Sequence, residues 1–173
     1  MNDTREQSQY QVRFDWGLEG AEHTARGAHV VVWVDALATV DAPDPLVIDA
    51  EAIALGSIGN RAAVAEWVLA RQEARGDRAI VSVIAAGVRD GRFAVEDLVA
   101  AGSIIDALAD RGIDFTSPEA AAAAGAFAAL KNASSHVLTA SVSGKELAAA
   151  GKTDVVDAAR SLNANPELRI LKE

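Results

Sequence analysis

The sequence predicts a three-layer α/β/α domain built on a parallel or mixed sheet, and two observations carry that prediction. The runs "HVVVWV" (29–34) and "RAIVSVIAAG" (78–87) are nearly continuous in apolar, largely β-branched residues, the pattern of strands covered on both faces. They alternate with stretches whose apolar residues recur at helical spacing, so helices are expected to cover the sheet on both sides. With 173 residues, 50% hydrophobic and 24% charged, the chain suits one domain with a sizeable core and is neither disordered nor fibrous in composition.

Each element follows in order. Residues 1–9 are polar and read as a flexible terminus, which leaves 10–173 as a single domain; "YQVRFDW" (10–16) alternates as a half-buried strand does. "GLEGAEHTARGA" (17–28) is a short helix ending near Gly27, and His29–Val34 is the central strand. "DAPDP" (41–45) must be a loop, because Pro43 and Pro45 lack the amide hydrogen a sheet ladder needs. "LVIDAEAIALGS" (46–57) holds one or two short strands, and "NRAAVAEWVLARQEARG" (60–76) is an amphipathic helix with Asn60 as N-cap and Gly76 as stop. After the second apolar strand, "VRDGRF" (88–93) is a polar turn around the pair Asp90-Gly91. "AVEDLVAAGSIIDALADRG" (94–112) is then a helix with Leu98, Ile104, Ile105 and Leu108 on one face. Ser117 caps, and Pro118 opens, an alanine-rich helix suited to close packing. "SGKELAAAG" (143–151) and "TDVVDAARSLN" (153–163) each begin with a cap residue, Ser143 and Thr153, and "LRIL" (168–171) is an edge strand.

Charge and composition exclude several classes. A net charge of −9 and a pI near 4.8 leave no basic face for a nucleic-acid backbone. There is no cysteine, hence no disulfide, thiolate metal site or cysteine nucleophile. The amino terminus lacks a signal pattern and no apolar run approaches the roughly 20 residues that span a bilayer, so no membrane partner and a cytoplasmic location are expected. His23, His29 and His136 lie too far apart for metal-ligand spacing, and "GSIGN" (56–60) is neither a P-loop nor a dinucleotide fingerprint.

In α/β sheets, ligands usually sit beyond the carboxyl ends of the strands, which directs attention to the segments after Val34 and after Ala86. Asp35 follows the first strand directly. A carboxylate there can bind a divalent cation, receive a phosphoryl group, or satisfy backbone amides of a turn. In the second segment Gly87 ends the strand, Arg89 and Arg92 supply cations suited to phosphate or sulfonate, and Glu96 and Asp97 stand in the first turn of the next helix. Asp90-Gly91 as an ordinary turn, with acids favoured at a helix start, explains the same residues without a ligand.

The segment "IAAGVRDGRFAVEDLVAAGSIIDAL" (84–108) resembles the 2-phosphosulfolactate phosphatase (ComB-like) family, in which a strand ending in Ala-Gly leads through a "GRF" turn to an "ED" helix. "VRFDWGLEGA", "GSIGNRAAVAEWV" and "SVSGKELAAAGKTDVVDAARSLN" resemble further family segments in the family's order. The resemblance implies a three-layer α/β fold and Mg2+-dependent hydrolysis of a small phosphorylated acid bearing carboxylate and sulfonate groups. It places Asp35, Glu96 and Asp97 in catalytic positions, Asp35 and Glu96 as metal ligands, and Asn60 and Gly87 at family positions around the substrate, beside the cations Arg89 and Arg92 noted above.

The chain departs from the family between Leu37 and Ile53. A serine- and threonine-rich turn with its helix, a glycine-rich stretch and an Asn-Gly segment have no counterpart here, and Ala38 stands where the family has arginine. An internal block near 38–52 is thus missing, and with it groups that would cradle a phosphate. Three readings stay open: a shortened phosphatase, a non-catalytic protein that keeps the scaffold with a small-anion pocket or a homodimer interface, and a structural partner subunit.

Overall fold

The structure, a computed structural model, describes residues 4–89 and 92–173. The Asp90-Gly91 turn expected from the sequence lies outside the described residues. Strands β1 (Val12–Trp16), β2 (Ala28–Val34), β3 (Ala50–Gly56), β4 (Val81–Ala85) and β5 (Arg169–Lys172) form one sheet in the order β1-β4-β2-β3-β5. β1, β4, β2 and β3 are parallel, and β5 closes the far edge antiparallel to β3. The mixed α/β/α architecture is therefore the predicted one, with "HVVVWV" central.

The sheet separates two apolar cores. On one face Val30, Val32 and Val34 meet α2 (Arg61–Arg75) and α3 (Val95–Ala109), with Phe127 of α4 (Pro118–Leu130) behind them. α3 is buried along almost its whole length because it lies between the sheet and α4. The contact between these helices is close: a methyl group on Gly102 would stand 2.0 Å from the Ala123 carbonyl oxygen. On the other face Val31, Trp33, Ile53 and Ile84 form a smaller core with Ala21 and Ala25 from α1 (Gly17–Thr24) and its end, and with Ile48.

Parallel neighbours need a crossover, usually a helix. β2 and β3 are such neighbours, yet residues 35–49 between them carry neither helix nor strand. The second face is thus covered by an irregular segment where other βαβ units place a helix.

Several local expectations hold and several shift. Ser117 Oγ accepts the Ala120 amide at 3.1 Å ahead of Pro118, and Gly76 closes α2 at φ 68°. Asn60 holds the N-cap position of α2 as expected, but its side-chain carbonyl turns back to the Ser57 amide instead of taking a helix amide. α6 (Val142–Ala149) begins two residues earlier than its sequence suggests: Ser141, not Ser143, accepts the Gly144 amide. Thr153 is the first residue of α7 (Thr153–Ala159) rather than its cap. A further short helix, α5 (Ser134–Ala140), has no strong sequence signature.

Candidate functional site

The carboxyl ends of β2 and β4 lie side by side, Val34 paired with Ala85, and both predicted segments emerge there. The amino terminus of α3 packs against them. Asp97, 1% exposed, joins the two strand ends: Oδ1 accepts the Ala36 amide at 2.8 Å and Oδ2 accepts the Gly87 amide at 2.9 Å. Burial pushes its carboxyl up to about 8, the negative charges of Asp35 and Glu96 add to the rise, and the two amides oppose it. Asp35 and Glu96 thus both lie close enough to Asp97 for their charges to act on it.

Asp35 sits at the start of the helix-free crossover and organises it. Its Oδ1 accepts the Leu37 and Thr39 amides at 3.3 and 3.1 Å, and its Oδ2 accepts the Val40 amide at 2.9 Å. This cage holds Ala38 in the left-handed region at φ 49°, a conformation that costs a non-glycine residue about 1 kcal/mol. Glu96 is buried beside Asp97 at 3% exposure.

Gly87 has φ 71°, and a methyl group there would stand 2.9 Å from the Arg92 carbonyl oxygen, which itself accepts the Val88 amide. A glycine is needed for this tight return, which brings Arg89 and Arg92 to one cavity of about 410 Å³. Thr39 from the crossover and Ser143 and Glu146 from α6 complete its wall with Val88. Ser143 is 2% exposed and its hydroxyl has no hydrogen-bond partner among the described residues. The sequence reading assigned Ser143 to capping and overlooked Thr39; "SVSG" held a clue, since only one of two serines spaced by two can cap the same helix.

Asn60 lies apart from this cavity. Its Oδ1 accepts the Ser57 amide and hydroxyl, and its Nδ2 donates to the Leu55 and Glu167 carbonyls at 3.0 and 3.2 Å, tying the β3–α2 turn to the carboxy-terminal segment. His29 accepts the Ile80 amide through Nδ1, and burial beside the Arg75 guanidinium pushes its pKa down; His136 is exposed on α5.

The fit of Mg2+ turns on the carboxylate oxygens. Among the described residues no group of three or more His, Cys, Asp or Glu side chains converges to hold a metal ion. Asp35 and Asp97 between them accept five backbone amides, so their oxygens already serve the loops. The described residues thus form no ready-made cation cage.

Fold and site together define an α/β protein whose charged groups gather beyond the carboxyl ends of parallel strands, with two arginines, two hydroxyl residues and Glu146 lining one cavity. Residues 46–173 match the family model described as 2-phosphosulpholactate phosphatase, and the chain belongs to that family. The matched range contains Asn60, Gly87, Arg89, Arg92, Glu96, Asp97 and Ser143; Asp35 and the crossover up to Pro45 fall outside it. No curated protein matches the chain significantly. No helix among the described residues is long and apolar enough to cross a membrane.

Proposed function

We propose that this chain binds a small phosphorylated or sulfonated acid, the kind of substrate its family's description implies, in the cavity beside the ends of β2 and β4. One observation carries the reading: Arg89 and Arg92 line that cavity together, beside Thr39 and Glu146. Guanidinium groups supply paired donors for phosphate or sulfonate. In this reading Asp35 and Asp97 are structural clamps, residues 10–173 act as one cytoplasmic domain, and the shortened crossover replaces a longer family block.

A second reading, hydrolysis of the phosphate monoester, is favoured by the family match and by the crowding of Asp35, Glu96 and Asp97. One experiment separates the two. Calorimetric titration with inorganic phosphate and with a small sulfonate should give saturable binding that R89Q and R92Q each weaken at least about tenfold, the loss of one charge-assisted contact. Phosphate release from small phosphorylated acids is then followed with and without Mg2+. Release abolished by Asp35→Ala establishes the second reading, whereas binding without release establishes the first. Absence of both overturns the site.

A further inference from the structure

Edge strand β1 and the outer helix α4 border a cavity of about 250 Å³ that shares no lining residue with the one holding Arg89 and Arg92. Phe14 and Trp16 rise from the same face of β1, and Phe93, from the segment before α3, lies against Trp16. These rings do not stack. Phe14 and Trp16 meet at 77° with centroids 5.7 Å apart, and Trp16 and Phe93 at 46° and 5.3 Å, so the three bound a concave aromatic corner. Leu98 extends the apolar wall, and its charged residues are both acids, Asp15 and Glu119; no arginine, lysine or histidine among the described residues lines it. Other aromatic rings of the chain already carry a cation: Arg61 stands over Phe127 at 5.2 Å and Arg71 over Trp67 at 5.0 Å. Phe93 has no such partner among the described residues and is left 62% exposed at the mouth of the corner.

We propose that this corner is a binding site for a small quaternary ammonium ion. Aromatic faces attract a cation through their quadrupole, tryptophan most strongly, and the methyl groups around a quaternary nitrogen pack on the rings and on Leu98. Such an ion asks for no hydrogen-bond acceptor, which an apolar wall does not offer; a primary ammonium would give up hydration that this wall cannot replace. Glu119 forms no ion pair among the described residues, and with the net charge of −9 it favours a positive ligand over a neutral one. The volume lies below the roughly 300–1,000 Å³ of pockets for drug-sized molecules, which suits a ligand of few heavy atoms.

Indole N–H resonances of the full chain test the site, with choline as probe and dimethylbutanol, in which carbon replaces the charged nitrogen, as its neutral counterpart. The signal lost in W16F assigns Trp16 against Trp33 and Trp67. The expected result is a saturable shift of the Trp16 signal with choline, and a dissociation constant at least about tenfold weaker both for dimethylbutanol and for choline in F93A. Phe93 is exposed, so that variant keeps the core. A Trp16 signal that stays still, or moves without saturating in step with the other two, overturns the proposal. Equal affinity for the charged and neutral molecules does so as well, since the corner would then be an apolar cleft without preference for a cation, and so does unaltered choline affinity in F93A.

Discussion

Asp97, in the first turn of α3, accepts the backbone amide of Ala36 at 2.8 Å across 61 residues of sequence. Its other oxygen takes the Gly87 amide, so one buried side chain fixes the spacing of two parallel strand ends and the loops that leave them. Asp35 and Asp97 thus hold the backbone of the loops that carry Thr39 and Arg89.

Asp97 should make stability fall as pH rises. Its folded carboxyl is pushed up to about 8, above its ordinary value of 3.8, so the native state holds a proton that the unfolded chain has lost. That contribution is fully present below about pH 4 and is lost as pH rises toward about 8, at up to about 1.4 kcal/mol per pH unit. Urea unfolding across that window should show the decline in the native chain and a flatter profile in D97N. Equal slopes would mean that Asp97 titrates normally.

Asp35→Ala should melt the crossover while sparing the strands. Three amides, those of Leu37, Thr39 and Val40, lose their acceptor, and the left-handed Ala38 loses the cage that holds it. The expected cost is about 1–3 kcal/mol, much of it local. Amide hydrogen exchange should accelerate at residues 37, 39 and 40, with β2 and β4 protected as before. Uniform acceleration throughout the sheet would show that the clamp belongs to the global core instead.

The strands were legible because full burial on both faces leaves an apolar run that nothing else explains, as in Val30–Val34 and Val81–Ala85. Capping position was legible at Ser117, where proline follows, and at Asn60, whose side chain nonetheless turns to Ser57; it was misread at Ser143, where Ser141 two residues earlier takes the amide. That the segments leaving β2 and β4 emerge side by side was expected from their place at the ends of two apolar strands. What sequence cannot supply is the fate of each oxygen: Asp35 faces its own loop because the crossover is short enough to wrap it. Trp16 likewise reads as an ordinary strand residue, and only the fold sets Phe93 against it.

Gly102→Ala should be among the most damaging single-methyl additions. The new carbon would stand 2.0 Å from the Ala123 carbonyl oxygen and 3.0 Å from the Phe127 side chain, inside the contact between α3 and α4. Backbone cannot move aside as a side chain can, so the helices must separate and the core beneath them loosens. Overpacking of this kind costs about 1–3 kcal/mol or more, readable as a lowered denaturation midpoint. Gly125→Ala, on the open side of α4 with nothing within 4 Å, should instead be neutral or stabilising by up to about 1 kcal/mol.

Ser143→Ala separates ligand binding from folding. The Ser143 hydroxyl is buried without a partner among the described residues, so its lost hydration is not replaced there. Removing it should leave unfolding unchanged or raise stability by about 1 kcal/mol, whereas a serine serving only as structure would lose stability on truncation. Phosphate affinity should be unaltered in the same variant, since the hydroxyl has no surface open to the cavity while Arg89 and Arg92 keep the charge. Calorimetry and urea denaturation on one preparation give both numbers. Reduced stability would show that the core holds the hydroxyl, and a weakened phosphate affinity that it reaches the anion.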